Sequence, residues 1–194
     1  MKEKLSKALL FIMCTLIVLL TTSCGTKHIV KGQVVDAKNG KPIEGASIAI
    51  HWIGKKTDSF FAPYASGTYT IEKAKDISDA EGFFNIPKYV IFTEYEMGVY
   101  KKGYVCWDSQ DIFLKNTVKG HHYKKRKGFK IENNMIIELE PFTDEYSQVK
   151  HAYFTDAVSG RVGGLSGIGE ELKIILEIIQ KRKEERKKGL KYKN

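Results

Sequence analysis

The residues able to do chemistry in this chain are few and scattered. Its five histidines are His28, His51, His121, His122 and His151, and its three cysteines are Cys14, Cys24 and Cys106. None of the histidines falls at the spacings that build a zinc site. His121-His122 is the one cluster, and neighbouring side chains on an extended strand point to opposite faces, so joint chelation requires a loop and ligands from elsewhere. The sequence holds no Gly-x-Ser-x-Gly elbow, no His-Glu-x-x-His helix and no phosphate-cradling glycine loop. The expectation is therefore no catalytic residue, no cofactor and no metal. The alternative is a metal-dependent or small-ligand site, with or without enzymatic activity, on His121, His122 and nearby Asp or Tyr groups.

The cysteines speak to address more than to catalysis. Lys2, Lys4 and Lys7 form a basic start, and Ala8 to Leu20 is an apolar run short for a bilayer span. Residues 1–23 read as a signal peptide. Thr22-Ser23-Cys24-Gly25 resembles a bacterial lipoprotein cleavage site, which implies that Cys24 becomes the lipidated first residue; ordinary secretion and an uncleaved anchor stay open. Cys106 is then the one cysteine of the mature domain beyond the lipid site, with no disulfide partner. Its context, Tyr104-Val105-Cys106-Trp107, is that of a small buried hydrophobe.

The formal net charge is +9, and losing Lys2, Glu3, Lys4 and Lys7 with the leader leaves 29 basic against 22 acidic residues. The excess gathers in His121 to Lys127 and in Lys181 to Lys188. Anionic headgroups or acidic polymers suit such segments in a tethered envelope protein better than nucleic acid, which is not expected as a partner; the simpler reading, a solvated loop and a solvated helix face, is preferred to either.

The elements that must carry these residues are strands first. In Val30 to Ile50, VKGQVVDAKNGKPIEGASIAI, Val30, Gly32, Val34 and Asp36 alternate with Lys31, Gln33 and Val35, and Ala46, Ile48 and Ile50 resume that period of two. Asn39-Gly40, Pro42 and Gly45 supply turn geometry between them, so the segment reads as two strands joined by a turn. Its residues resemble the opening hairpin of the carboxypeptidase regulatory-like domain. Ser78 to Ile86 is similar to that family's Asp-x-x-Gly-x-Phe turn, Lys102-Gly103-Tyr104 to its Gly-Tyr strand entry, and Leu139-Glu140-Pro141 to its closing strand. The resemblance covers roughly Ile29 to Pro141 and implies a transthyretin-like β-sandwich. The peptidase of the family name is a separate domain that this sequence lacks.

Further strands are expected at Phe83 to Ile86, Glu94 to Lys101, Tyr104 to Trp107 and Asn134 to Glu140. His51 to Ile77 and Asp108 to Lys127 read as long connections. The first carries Phe60, Phe61 and Tyr64, which either cap the open end of the sandwich or stand exposed as a contact surface. Asp79 is expected to bond forward to backbone N–H groups in the turn before Phe83.

Beyond Pro141 the period becomes helical. Tyr146, Val149, Tyr153 and Ala157 would line one helix over Asp144 to Ala157, and Ser159 to Gly164 would break it. Ser166 reads as an N-cap, with Glu170 and Glu171 opposing the dipole of a second helix. Leu165, Ile168, Leu172, Ile175 and Ile179 form its apolar stripe, whose destination is the sandwich, the preceding helix, a second copy or a partner.

Two enzyme families share the prealbumin-like sandwich. Hydroxyisourate hydrolases end in Tyr-Arg-Gly-Ser, whereas this chain ends Leu190-Lys191-Tyr192-Lys193-Asn194. Intradiol dioxygenases hold iron through two tyrosines and a His-x-His pair, whereas the pair here is His-His. The sequence thus leads to a mainly β fold, an antiparallel Greek-key β-sandwich over 24–142 with a C-terminal helical extension over 143–194. The function expected is a non-enzymatic, membrane-anchored lipoprotein of the cell envelope, its sandwich a binding or scaffolding module. Phe60, Phe61, Tyr64, Leu172, Ile175 and Ile179 are its candidate contacts, and an envelope protein is a possible partner.

Overall fold

The computed structural model describes residues 28–56, 67–89, 93–116 and 122–191. Cys24, Phe60, Phe61, Tyr64 and His121 lie outside them. The strands are β1 His28–Asp36, β2 Ser47–Lys56, β3 Gly67–Ile77, β4 Phe83–Lys88, β5 Thr93–Tyr100, β6 Trp107–Asp108, β7 Asp111–Phe113, β8 Tyr123–Lys125 and β9 Met135–Leu139. Two helices follow, α1 Gln148–Val162 and α2 Gly169–Lys191. The fold is mainly β, as expected, with the helices at the C-terminal end.

One sheet has the order β4-β1-β9, with β1 antiparallel to β4 and parallel to β9. A second, antiparallel throughout, has the order β3-β2-β5-β6, and β7-β8 forms a separate hairpin. The expected opening hairpin is therefore corrected: β1 and β2 belong to different sheets. Gly40 N–H donates to Asp36 O at 2.8 Å and Asp36 N–H to Lys41 O at 2.9 Å, which closes the Asn39-Gly40 turn. Pro42 then bridges to Val35, and Gly45, at φ 68°, helps direct the chain into the other sheet. Alternation reports which face of a strand is buried, and both strands satisfy it without pairing.

Both sheets feed one apolar core. Val30, Val34, Phe84, Ile86, Ile137 and Leu139 from the first meet Ile48, Ile50, Trp52, Met97 and Val99 from the second, all essentially without exposure. Asp79 behaves as expected, its Oδ1 accepting from Phe83 N–H at 2.7 Å and Glu81 N–H at 3.1 Å.

The second sheet is buried on its other face too. Ala49 and Tyr100 join Val105, Cys106, Phe113, Phe154, Val158, Val162 and Leu165 in a second cluster beneath α1. Gly98 makes this approach possible, because a Cβ there would lie 2.7 Å from Val158 Cγ1. A β-carbon at that distance forces the helix outward or the side chain off its rotamer.

Three further expectations are corrected. The connection His51 to Ile77 contains the second half of β2 and all of β3, an edge strand whose Thr, Lys and Glu leave it largely exposed and so without the apolar alternation that marks a strand. The loop Asp108 to Lys127 holds β7 and β8. The first helix starts later and runs through Ser159-Gly160-Arg161, ending at Gly163 in the left-handed conformation. Ser147 caps it, accepting from Lys150 N–H. Its buried residues include His151, Phe154, Thr155, Val158 and Val162, while Val149 and Tyr153 are exposed. Of the expected stripe, Tyr146 lies before the helix and is buried, whereas Val149, Tyr153 and Ala157 fall beside the face that packs.

Candidate functional site

The spacing of α1 gives it two working faces. His151, Thr155, Val158 and Val162 press on the sheet, and Lys150, Tyr153, Phe154, Ala157 and Arg161 form an adjacent stripe beside β7-β8. Between that stripe and the hairpin lies a cleft of about 300 Å³, closed on the hairpin side by Asp111, Phe113, His122 and Tyr123. Its size falls at the lower end of ordinary small-molecule sites. The floor is aromatic: Phe113 and Phe154 are buried with ring centroids 5.3 Å apart, and Tyr123 stands 6.3 Å from Phe154. Tyr123 and Tyr153 are exposed at the walls.

The polar end is built from α1 and β7. Arg161 Nη2 donates to Asp108 Oδ2 at 2.5 Å and lies 4.0 Å from Asp111 Oδ2. Asp108 has no exposure, and burial pushes its carboxyl above the usual value, with Arg161 and the Gln110 N–H pulling the other way. Asp111 is 6% exposed, and its Oδ1 accepts no hydrogen bond among the described residues. Lys125 Nζ lies 3.1 Å from that oxygen and supplies charge without hydrogen-bond geometry. Asp111 and Arg161 also wall a second, more polar cleft of about 370 Å³ lined by Ile53, Glu94, Tyr95, Glu96, Gln110 and Lys125. An aromatic compartment and a polar compartment therefore meet across one Asp-Arg pair.

His151 underpins the site without entering the aromatic cleft. Its Nε2 accepts from Cys106 N–H at 2.8 Å, and its ring packs on Phe113 at 5.3 Å. Burial pushes its pKa down to about 4, so the imidazole is neutral at pH 7 and free to accept. Burial, reinforced by Asp108, pushes the Cys106 thiol far up, so it is unreactive as a nucleophile.

Of the residues singled out in the sequence, His122 stands at the cleft's rim, exposed. No three His, Cys, Asp or Glu side chains come together as metal ligands among the described residues. Leu172 and Ile179 are exposed, but Ile175 is buried. The first turns of α2 pack back on the domain: Tyr100 Oη donates to Glu171 Oε1, and Lys102 Nζ lies 2.6 Å from Glu170 Oε1. Ser166 does not cap α2 through its side chain; its N–H donates to Ser47 Oγ at 2.8 Å. Phe113, Phe154, Asp111 and Arg161 were not singled out, since two of them sit in a stretch with no periodicity and Arg161 in an apparent breaker.

No protein-family model matches this chain, and no curated protein matches it in sequence. Solved structures similar to it include wild-type catechol 1,2-dioxygenase from Acinetobacter radioresistens, at 12% identity and a TM-score of 0.39 over 65% of this chain and 55% of that one. Catechol 1,2-dioxygenase from Pseudomonas arvilla C-1 matches at 15% identity and 0.36 over 64% and 56%, and 3-chlorocatechol 1,2-dioxygenase from Rhodococcus opacus 1CP at 15% and 0.35 over 61% and 61%. The chain thus spans little more than half the length of these structures, and overlaps this loose transfer no catalytic role. These structures are named as dioxygenases and do not back the expected non-enzymatic scaffolding module; the alternative stays a metal-dependent or small-ligand site using His121, His122 and nearby residues.

Proposed function

We propose that this chain is a small-ligand-binding protein whose site is the aromatic cleft between α1 and the β7-β8 hairpin. The observation that carries the reading is the cleft itself, which sets two buried phenyl rings and two tyrosines beside a fixed Asp-Arg pair. A ligand with a flat, ring-sized apolar body fits the floor. At this end Lys125, Lys150 and Arg161 outnumber Asp108 and Asp111 by one charge, which favours an anionic group on that ring. The ligand-binding domain is proposed as a transthyretin-like β-sandwich of the carboxypeptidase regulatory-like kind, held at a bacterial envelope membrane through a lipidated Cys24. The turn residues Asn39-Gly40 and Asp79 to Phe83 support the first part, and the basic, apolar and small-residue order of Lys2 to Cys24 supports the second.

The test is protein-detected NMR with matched aryl carboxylates, aryl amines and neutral aryl alcohols. Aryl carboxylates should shift resonances of β7, β8 and α1, with affinity falling at least about tenfold in Tyr153→Ala, an exposed position whose loss spares the fold. Shifts scattered away from the cleft, or unchanged affinity in that variant, would remove the reading.

A further inference from the structure

Helix α2 leaves the domain with one face unmatched. Its inner side is anchored by Glu170, Glu171 and the buried Ile175, yet Leu176 is 64% exposed, and Leu172 and Ile179 are close to two-fifths exposed. At 3.6 residues per turn, these three share a stripe about 100° wide with Lys183, Arg186 and Lys187, all exposed. The first two turns of the stripe are apolar and the next two cationic. The helix has five acids, Glu170, Glu171, Glu177, Glu184 and Glu185, and the same period puts every one of them off it. Glu170 and Glu171 are occupied by Lys102 and Tyr100, and Gln180 Nε2 donates to Glu184 Oε1 away from the stripe.

This segregation selects the occupant. A second copy of the same face would set Lys183, Arg186 and Lys187 against their equals if parallel, or against Leu172, Leu176 and Ile179 if antiparallel, with no acid to answer them in either direction. A soluble polyanion would answer the cations but leave Leu172, Leu176 and Ile179 in water. An anionic bilayer answers both halves, because acyl chains take the apolar turns while phosphate groups meet Lys and Arg stems that snorkel to the headgroups. We propose that this face of α2 is an interfacial membrane-docking helix for anionic phospholipid, separate from the cleft and from any N-terminal anchor. No helix among the described residues is long and apolar enough to span a bilayer, so α2 lies on the surface.

Hydrogen exchange of the full chain on vesicles tests it, with phosphatidylcholine alone compared against phosphatidylcholine carrying 30% phosphatidylglycerol. Any N-terminal insertion is common to both compositions. Exchange within 172–187 should slow by at least about tenfold on the anionic vesicles only, and the protection should fade with added salt. Leu176→Asp, at an exposed position, should abolish it, and Lys183→Ala, Arg186→Ala and Lys187→Ala together should weaken vesicle affinity about 100-fold, near fivefold per charge. Equal exchange on both compositions overturns the proposal. Equal protection by heparin assigns the face to a soluble polyanion and likewise overturns it.

Discussion

Arg161 on α1 reaches into the sheet and closes a 2.5 Å ion pair on Asp108, a side chain with no solvent exposure at the end of β6. This contact joins the helical layer to the sheet and fixes Arg161, which with Asp111 walls both clefts. Removing one partner of such a pair leaves a buried charge unanswered. Arg161→Met is expected to lower stability by about 3–5 kcal/mol, and adding Asp108→Asn to it should recover part of the loss. Urea unfolding of the two variants checks both; equal stability of Arg161→Met and the parent would mean that the pair contributes nothing.

The pH dependence of stability should have two regions of opposite origin. His151 is held neutral by burial, with its folded pKa near 4 against 6.5 as the ordinary value, so the unfolded chain binds its proton first. Stability on this account is full above pH 6.5 and falls as pH drops toward 4, by about 3 kcal/mol. Glutamine offers Cys106 N–H an acceptor that does not titrate, so His151→Gln should flatten this region in chemical-denaturation curves taken from pH 7 to pH 4.

Asp36 governs the lower region. Burial works against its charge, but hydrogen bonds from Lys38 N–H, Tyr104 Oη and Asn39 N–H hold the carboxyl below its ordinary 3.8. That contribution is present above pH 3.8 and is lost as pH falls through the folded value. Tyr104→Phe lets the folded carboxyl rise toward its ordinary value, so the stability lost below pH 3.8 should shrink, read by urea unfolding across an acid titration.

Gly98 is required by the helix that covers it. Gly98→Ala should cost about 1–3 kcal/mol, since the new methyl meets Val158 Cγ1 at 2.7 Å. In Val158→Ala the same change should cost less than half as much, a coupling that a double-mutant cycle by thermal or urea unfolding reads directly. Additive losses would show that the clash lies elsewhere.

Cys106 is 2% exposed and its thiolate is disfavoured, so alkylation should track unfolding of the second core. Peptide mapping after iodoacetamide treatment should find Cys106 unmodified in native buffer and modified in denaturant. Labelling at the same rate in both would contradict its burial.

The strand faces were legible in the sequence because alternation is local. Val30, Val34, Ile48 and Ile50 are buried as their period of two requires, and the turns at Gly40, Gly45 and Gly82 carry the positive φ that their glycines allow. The edge strand β3 was not legible, since an exposed edge needs no apolar alternation and its hydrogen bonds come from β2. Nor was the packed face of α1. Its apolar and polar residues are interleaved because one side meets the sheet and the next side lines the cleft, so no single stripe stands out.

Local sequence assigns each segment its class: a β-rich body, two C-terminal helices and a strongly cationic end to α2. Those properties follow from spacing and composition along the chain. Only the tertiary structure decided that β1 and β2 separate into different sheets, that Arg161 finds Asp108, and that Phe113 and Phe154 meet to floor a cleft. Each of these joins residues tens of positions apart, and no local period records which distant partner a buried side chain will meet.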